Sequence, residues 1–401
     1  LPTDPEDRTI VIFGKKKKQV SKKEISIREA SEVAPRGDPA QITKLLPGVQ
    51  TTNIFSNQIV VRGSAPNDSR YFIDGYDLPF IYHSVGGISV LPRELLSEVL
   101  FYSGGFPAEY GEASGGIIKL ETKDNPAQER KTYFSINLPL YSSVFHDEPI
   151  NKKSSLSFSF RRSYVDFFIR KILKESKTLV VPKFHDGHIR YIRKTSDGYQ
   201  KLFFLKSMDG LELAFPGQGA REGGKLKFDI NTDFFLLGFE QKGKLSKNWS
   251  YNLSPQIRKT KVKNLIQDND IDINGYEYRL PVKTKRKLSK DESVNFGIEL
   301  VWSDVDVSVL APRIVNDDPF VDFEEPEQTK SVSTYQEWLT SQWVSVDYKI
   351  GQFIFTPGLR TFFSTQIDAW GWDPRFSLIW KYSDTAQFKF AWGQYSKSPS
   401  P

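Results

Sequence analysis

Residues 104–122 read GGFPAEYGEASGGIIKLET, with five glycines ahead of a strand-like return. Glycine costs backbone entropy, so it is dense where turns need positive φ or where backbones pack too closely for a side chain. Upstream segments share this compact texture. Ile42–Val49 (ITKLLPGV) predicts a short helix stopped by Pro47-Gly48, and Ile59–Ser64 (IVVRGS) predicts a strand ending at Gly63. Tyr71–Leu78 (YFIDGYDL) predicts a hairpin turning on Asp74-Gly75. Leu91–Gly105 predicts a helix, then a strand. Arg62 is expected to be buried, where it would need a carboxylate partner. A small soluble α/β domain with tight turns would use the same vocabulary.

The texture changes near residue 125, at the turn-rich linker Lys123-Asp124-Asn125-Pro126. Beyond it, apolar and polar residues alternate. Phe134, Ile136, Leu138 and Leu140 interleave with Ser135, Asn137 and Pro139. Val294, Phe296, Ile298, Leu300 and Trp302 interleave with Asn295, Gly297 and Glu299, and Phe376, Leu378 and Trp380 with Ser377 and Lys381. Period two puts each set on one face of a strand. A half-buried soluble sandwich alternates in the same way. Segments of about nine to twelve residues match a tilted membrane strand. Aromatics at strand ends (Trp249, Trp302, Tyr395) suit an interfacial girdle. Tyr164–Glu175 (YVDFFIRKILKE) breaks the rhythm and predicts a short amphipathic helix.

The totals agree. Aromatics make up 14% of the 401 residues although mean hydropathy is −0.44, the balance expected when strands face lipid on one side and water on the other. No apolar run is long enough for a transmembrane helix, so a membrane reading requires a closed barrel. The formal charge of +6 is spread out, and the dense run Lys15–Lys18 sits outside any nucleic-acid motif. With no cysteine, disulfides and thiolate metal sites are excluded.

The order of PGV helix, RG strand, DG hairpin and Gly-rich YG…GG return strand over residues 8–123 resembles the plug domain of TonB-dependent outer-membrane receptors. RRSY at 161–164 and the DPRFSLIWKYSD and WGQYSKSP segments look like the same family. The resemblance implies a mainly β protein: a transmembrane antiparallel β-barrel of 22 strands when complete, with an N-terminal α/β plug in its lumen. Roughly twelve strands are expected after residue 130, about half of such a barrel. The expected organisation is an N-terminal periplasmic segment over 1–25, the plug over 26–125, and the N-terminal part of the barrel over 126–401.

Further implications are functional. Arg8–Gly14 (RTIVIFG) resembles the TonB box, so Thr9, Ile10, Val11, Ile12 and Phe13 are the expected TonB contacts, acting by strand addition. Plug apices would meet a ligand, which singles out Asn67 and Asp68 as hydrogen-bonding groups and Phe80, Tyr82 and His83 as stacking ones. Packing of those loops against the barrel wall is the other reading. The family implies uptake of a scarce solute, a ferric siderophore or other metal chelate, across the outer membrane of a Gram-negative bacterium. The energy would come from the proton gradient through TonB and its inner-membrane complex. Outer-membrane lipid and lipopolysaccharide would surround the barrel, and no nucleic acid or cofactor is implied. An envelope signalling or structural subunit using the same fold is the alternative. Enzyme motifs fail. His185 and His188 of HDGH fall on opposite faces of a strand, and Gly217–Gly224 has the wrong spacing for a dinucleotide fingerprint. No catalytic or metal-binding residue is expected.

Overall fold

The computed structural model describes residues 20–34, 38–51, 59–83, 88–138, 140–172, 179–216, 225–266, 269–312, 328–383 and 386–398. The first sheet begins with β1 (Lys22–Ser26), which runs into α1 (Ile27–Val33). Ser26 starts that helix as a capping box: its hydroxyl accepts the Glu29 N–H, and the Glu29 carboxylate accepts the Ser26 N–H. ITKLLPGV falls in a 3-10 helix over Pro39–Leu45 and the turn after it, where Gly48 adopts φ +81. β2 (Val49–Thr51) pairs with β3 (Ile59–Val61). β4 (Arg70–Ile73), β5 (Tyr76–Leu78), β6 (Leu96–Tyr102) and β7 (Ile117–Thr122) join β1 in the order β1-β6-β7-β4-β5. Asp74 and Gly75 both take positive φ (52° and 105°), the geometry a two-residue hairpin turn demands.

Two local expectations fail. Leu91–Gly105 contains β6 preceded by turns through Pro92–Leu95, not by a helix. Arg62 is exposed at φ +53 in the turn after β3, because that strand stops at Val61 and the side chain leaves the sheet. The plug arginine that finds a carboxylate is Arg70 instead, its side chain 10% exposed beside Asp77.

The second sheet is antiparallel throughout. Its strands are β8 (Lys131–Asn137), β9 (Tyr141–Asn151), β10 (Ser154–Ser163), β11 (Leu179–Lys194), β12 (Tyr199–Pro216), β13 (Lys225–Lys244), β14 (Trp249–Leu253), β15 (Gln256–Ile266), β16 (Asn269–Lys287), β17 (Ser293–Pro312), β18 (Gln328–Ile350), β19 (Phe353–Ser364), β20 (Ala369–Trp380) and β21 (Phe388–Gly393). β14 and β15 each pair with both β13 and β16, so they are one strand position interrupted at Ser254-Pro255. The 14 strands therefore fill thirteen places, close to the roughly twelve expected. α2 (Val165–Ile172) lies within the predicted amphipathic segment and packs on β11.

One rim carries short turns, such as 195–198 and 351–352, and the other carries the longer connections 164–178, 217–224 and 313–327. In outer-membrane barrels the short turns are periplasmic and the long loops extracellular. The outward face bears Phe296, Ile298, Leu300 and Leu280. Above them Tyr278, Trp302 and Trp338 form a row on neighbouring strands, with ring centroids 5.1 and 6.3 Å apart. Tyr395, expected in that girdle, instead turns inward onto Phe106 at 4.4 Å. No helix among the described residues is long and apolar enough to cross a membrane; here strands do so.

The small sheet lies against the inner face of the large one. Ile73, Tyr76, Tyr82, Phe101 and Leu120 share one buried cluster with Phe203 and Leu205 of β12 and Phe234 and Leu236 of β13. Tyr76 stacks on Phe203 at 6.1 Å, and a Cβ at Gly238 would sit 2.5 Å from the Tyr76 ring. Glycine is required there by close approach. Gly238→Val is expected to weaken docking of the plug by about 1–3 kcal/mol, the usual range for overpacking. Limited proteolysis should show faster cleavage within residues 20–123, with the heat-resistant barrel band unchanged; equal protection of variant and parent would contradict this.

Candidate functional site

The DG hairpin projects from the plug sheet into the wall, and its turn residue does more than turn. The Asp74 carboxylate accepts the Thr122 N–H at 2.7 Å and the Thr122 hydroxyl at 2.6 Å, tying β7 to the hairpin. From the wall, Lys201 of β12 donates to Asp74 at 3.2 Å and to Asp124 at 2.8 Å, with Glu240 of β13 at 3.7 Å. The Lys201 side chain is 1% exposed. Burial pushes the Asp74 pKa up, but Lys201 and the Thr122 bonds outweigh it and hold the carboxyl below its ordinary value.

Three residues on, Asp77 begins a second seam. It accepts from Arg70 of the plug and Arg258 of β15, each at 2.6 Å. Charges then alternate across the wall. Arg258 pairs with Glu277 at 2.9 Å, Glu277 with Arg279 at 3.1 Å, and Arg279 with Glu299 at 2.8 Å. Arg360 of β19 pairs with Glu299 at 3.1 Å. Arg360 returns to the plug by donating to the Glu109 carbonyl at 3.2 Å. Beside it Lys283 meets the Glu109 carboxylate at 3.0 Å, and Arg375 donates to the carbonyls of Pro107 and Tyr110. A cavity of 330 Å³ separates plug residues Gly105–Glu109 from Tyr251, Trp343 and Asp347 near the short-turn rim.

The third seam involves the residues expected to meet a ligand. His83 is fully buried, with Nε2 2.8 Å from Asp186 of β11 and Nδ1 3.0 Å from Asp209 of β12. Phe184 stacks on its ring at 4.1 Å. Arg161 of β10 also donates to Asp186 at 2.7 Å, as well as to the Ser89 carbonyl. Asp38 accepts the Ser89 N–H at 2.7 Å, and its burial raises its pKa. Tyr82 is equally buried, bonded to Thr43 and to the Ala40 carbonyl. Phe80 is half-buried, edge-on to Phe234 at 5.6 Å. Asn67 is exposed and Asp68 half-exposed on the 3-10 turn Pro66–Asp68, where Lys397 reaches the Asn67 carbonyl at 3.0 Å. The geometry thus separates Asn67 and Asp68, open at the apex, from Tyr82 and His83, sealed against the wall. Thr9, Ile10, Val11, Ile12 and Phe13 lie outside the described residues. His185 is exposed and His188 buried, on opposite faces of β11.

Sequence reasoning missed the wall side of every seam. Lys201, Arg258, Glu299 and Arg360 stand at alternate, inward positions of their strands, which marks them as polar-face residues. Nothing local says which plug group each meets.

Two measurements test the seams. Lys201→Met strands Asp74 and Glu240 without their cation and should cost about 3–5 kcal/mol of plug docking, the range for breaking a buried pair; Asp74→Asn in the same chain should recover part of it. His83 has a different signature. Burial lowers its pKa, but Asp209 and Asp186 raise it further, for a net rise above 6.5. Its stabilisation is therefore full below its unfolded value near 6.5 and fades as pH rises through the higher folded value. Plug unfolding midpoints should fall across that window in the parent and stay flatter in His83→Gln; parallel curves would refute the charged pairing.

Comparison with known proteins follows the same lines. A family model described as TonB-dependent Receptor Plug Domain matches residues 16–117. A search of the curated proteins gives no match. The fold is similar to that of a mutant of the ferric enterobactin receptor PfeA from Pseudomonas aeruginosa, at 15% identity and TM-score 0.66, over 95% of this chain and 63% of that one. It is similar to the siderophore receptor PirA from Acinetobacter baumannii, at 16% identity and TM-score 0.63, over 95% and 62%. The outer membrane transporter YddB from Escherichia coli is matched at 10% identity and TM-score 0.58, over 90% and 59%. The chain thus spans about three-fifths of the length of these structures, and at such identities the likeness is one of fold. Residues 16–117 thus match the TonB-dependent receptor plug domain, and they are lodged against an antiparallel wall similar in fold to that of outer-membrane receptors.

Proposed function

We propose that the full-length protein takes up a scarce extracellular solute across the outer membrane, with TonB supplying the work by pulling on the N-terminal segment. Ferric siderophores or other metal chelates are the proposed substrate class, a reading supported by the likeness in fold to the ferric enterobactin receptor PfeA and the siderophore receptor PirA. The observation carrying this reading is the asymmetry of the plug's attachment. Against β12 and β13 it is held by a shared apolar cluster around Tyr76 and Phe203, reinforced by the Lys201 and His83 ion pairs. Against β15–β20 it is held by ion pairs and carbonyl contacts, with the 330 Å³ cavity beside them. Apolar burial is lost gradually as surfaces part, whereas directional polar contacts exchange for water at small net cost. Force applied to the plug would open the second side first and widen an existing cavity into a path along the wall. No nucleotide is needed in such a scheme.

TonB coupling rests on Thr9–Phe13 presenting an extended edge for strand addition. These 401 residues contain no cysteine, so a thiol introduced among them is unique within this stretch. Ile10→Cys in the full-length receptor should form a disulfide with a cysteine placed in the TonB C-terminal domain. Ile10→Pro, which removes one backbone donor and disfavours the extended pairing, should abolish TonB-dependent uptake while the barrel still assembles. If no position from Thr9 to Phe13 crosslinks and Ile10→Pro transports normally, the coupling segment lies elsewhere.

A further inference from the structure

Above the membrane the wall reverses its polarity. β17 and β18, of 20 and 23 residues, are longer than the roughly ten that cross a bilayer, so they continue past the aromatic row of Tyr278, Trp302 and Trp338. The inward parity of each strand is fixed below that row by contact with the plug or its seam: Arg258 on β15, Glu277 and Arg279 on β16, Glu299 on β17. Side chains alternate, and the pairing of these strands runs without a register shift through this height. The inward positions above the seam therefore include an apolar patch of Val262 on β15, Ile273 and Ile271 on β16, and Val305, Val307 and Val309 on β17, flanked by the inward polar residues Thr260 and Asn264 on β15 and Tyr335, Ser333 and Ser331 on β18. Leu211 and Leu213 on β12 continue the surface, paired with Ile230 on β13 opposite Leu211. The outward positions at the same height are Lys261, Lys263, Asp270, Asp272, Asp304 and Asp306.

A strand leaving the membrane no longer needs an apolar outer face, and here that face is mostly charged, with Leu265 and Val332 as apolar exceptions. The apolar inner face serves the lumen instead. Apart from the buried Leu211 it is half-buried, and it lies on the side of the long connections. Among the described residues the nearby inward cations are already matched: Arg258 by Asp77 and Glu277, Arg279 by Glu277 and Glu299, Arg360 by Glu299, and Arg161 by Asp186. A multiply anionic chelate entering this cup would be stripped of water against valine and isoleucine, with those arginines committed elsewhere. An apolar body of little net charge would gain from the same surface.

We infer that this vestibule is a binding site for a solute with an apolar body and low net charge. The inference rests on the uptake reading and narrows its substrate class from metal chelates in general to neutral, lipophilic ones or other apolar solutes.

The test uses the full-length receptor in lipid nanodiscs, with empty nanodiscs as background. Two probes are compared: the neutral dye N-phenyl-1-naphthylamine and the trianion tris(catecholato)iron(III). Saturable dye binding is expected, lowered at least tenfold by Val305→Asp combined with Val307→Asp, with no saturable binding of the trianion. The isosteric pair Val305→Thr and Val307→Thr should give an intermediate loss, and Asp304→Ser, on the outer face, none. Heat-modifiable migration checks that each barrel is folded. Tighter binding of the trianion than of the dye would overturn the inference. So would dye binding that the aspartates leave unchanged, or no saturable dye binding by the folded parent, which would assign the cup to packing of the chain's own loops. Uptake is scored separately: dye binding that depends on the valines in a receptor without TonB-dependent transport would sink the uptake reading and leave the site standing.

Discussion

Hydrocarbon gives a backbone amide nothing to bond to, and the rest of this architecture depends on that constraint. Strands that cross a bilayer must satisfy one another, so the large sheet pairs each strand with its sequence neighbours through thirteen positions. Once the outer face is given to lipid, alternation delivers every second residue to the lumen, where polar groups are tolerated only if they find partners. Most charged residues near the plug arise this way. Lys201, Arg258, Glu299 and Arg360 point inward because their strands leave them no other direction.

The plug solves the complementary problem. A domain inside a lumen lined with charge must present opposite charge at matching heights, and it does so from very few backbone features. One is the hairpin turn at Asp74-Gly75, whose positive-φ geometry places the Asp74 carboxylate between Thr122 and Lys201. Another is the pair of carbonyls at Pro107 and Tyr110 that receive Arg375. Buried ion pairs add little net stability compared with apolar packing, but they fail sharply when one partner is lost. A plug held by apolar surface and ion pairs together on one side, and chiefly by polar contacts on the other, is firm when seated and has a preferred side of release.

His83 illustrates how far a side chain's role depends on its surroundings. In the sequence it is an aromatic base in an apical loop, suited to stack on a ligand. In the fold both ring nitrogens meet carboxylates from different strands, and stacking is taken by Phe184. Arg62 makes the reverse point, since a residue read as buried is exposed once its strand ends one position early. For Arg62 local sequence described the segment correctly and the residue's environment wrongly, and for His83 it left two environments open, because environment is set by chain that is distant in sequence.

What the sequence by itself determined is whatever depends on short-range physics. Alternation fixed the strands and their outward faces, the DG and PGV turns fixed the plug's corners, and the glycines of residues 104–122 marked a backbone packed too closely for side chains. Only the tertiary structure decided the pairings between distant segments: Asp74 with Lys201, Asp77 with Arg258, His83 with Asp186 and Asp209. It alone also placed Tyr395 on the plug and set the height at which the wall turns apolar inside and charged outside. A period of two says that a residue has a face. How far that strand travels, and what stands opposite when it gets there, is settled by register and by the docking of one sheet against another.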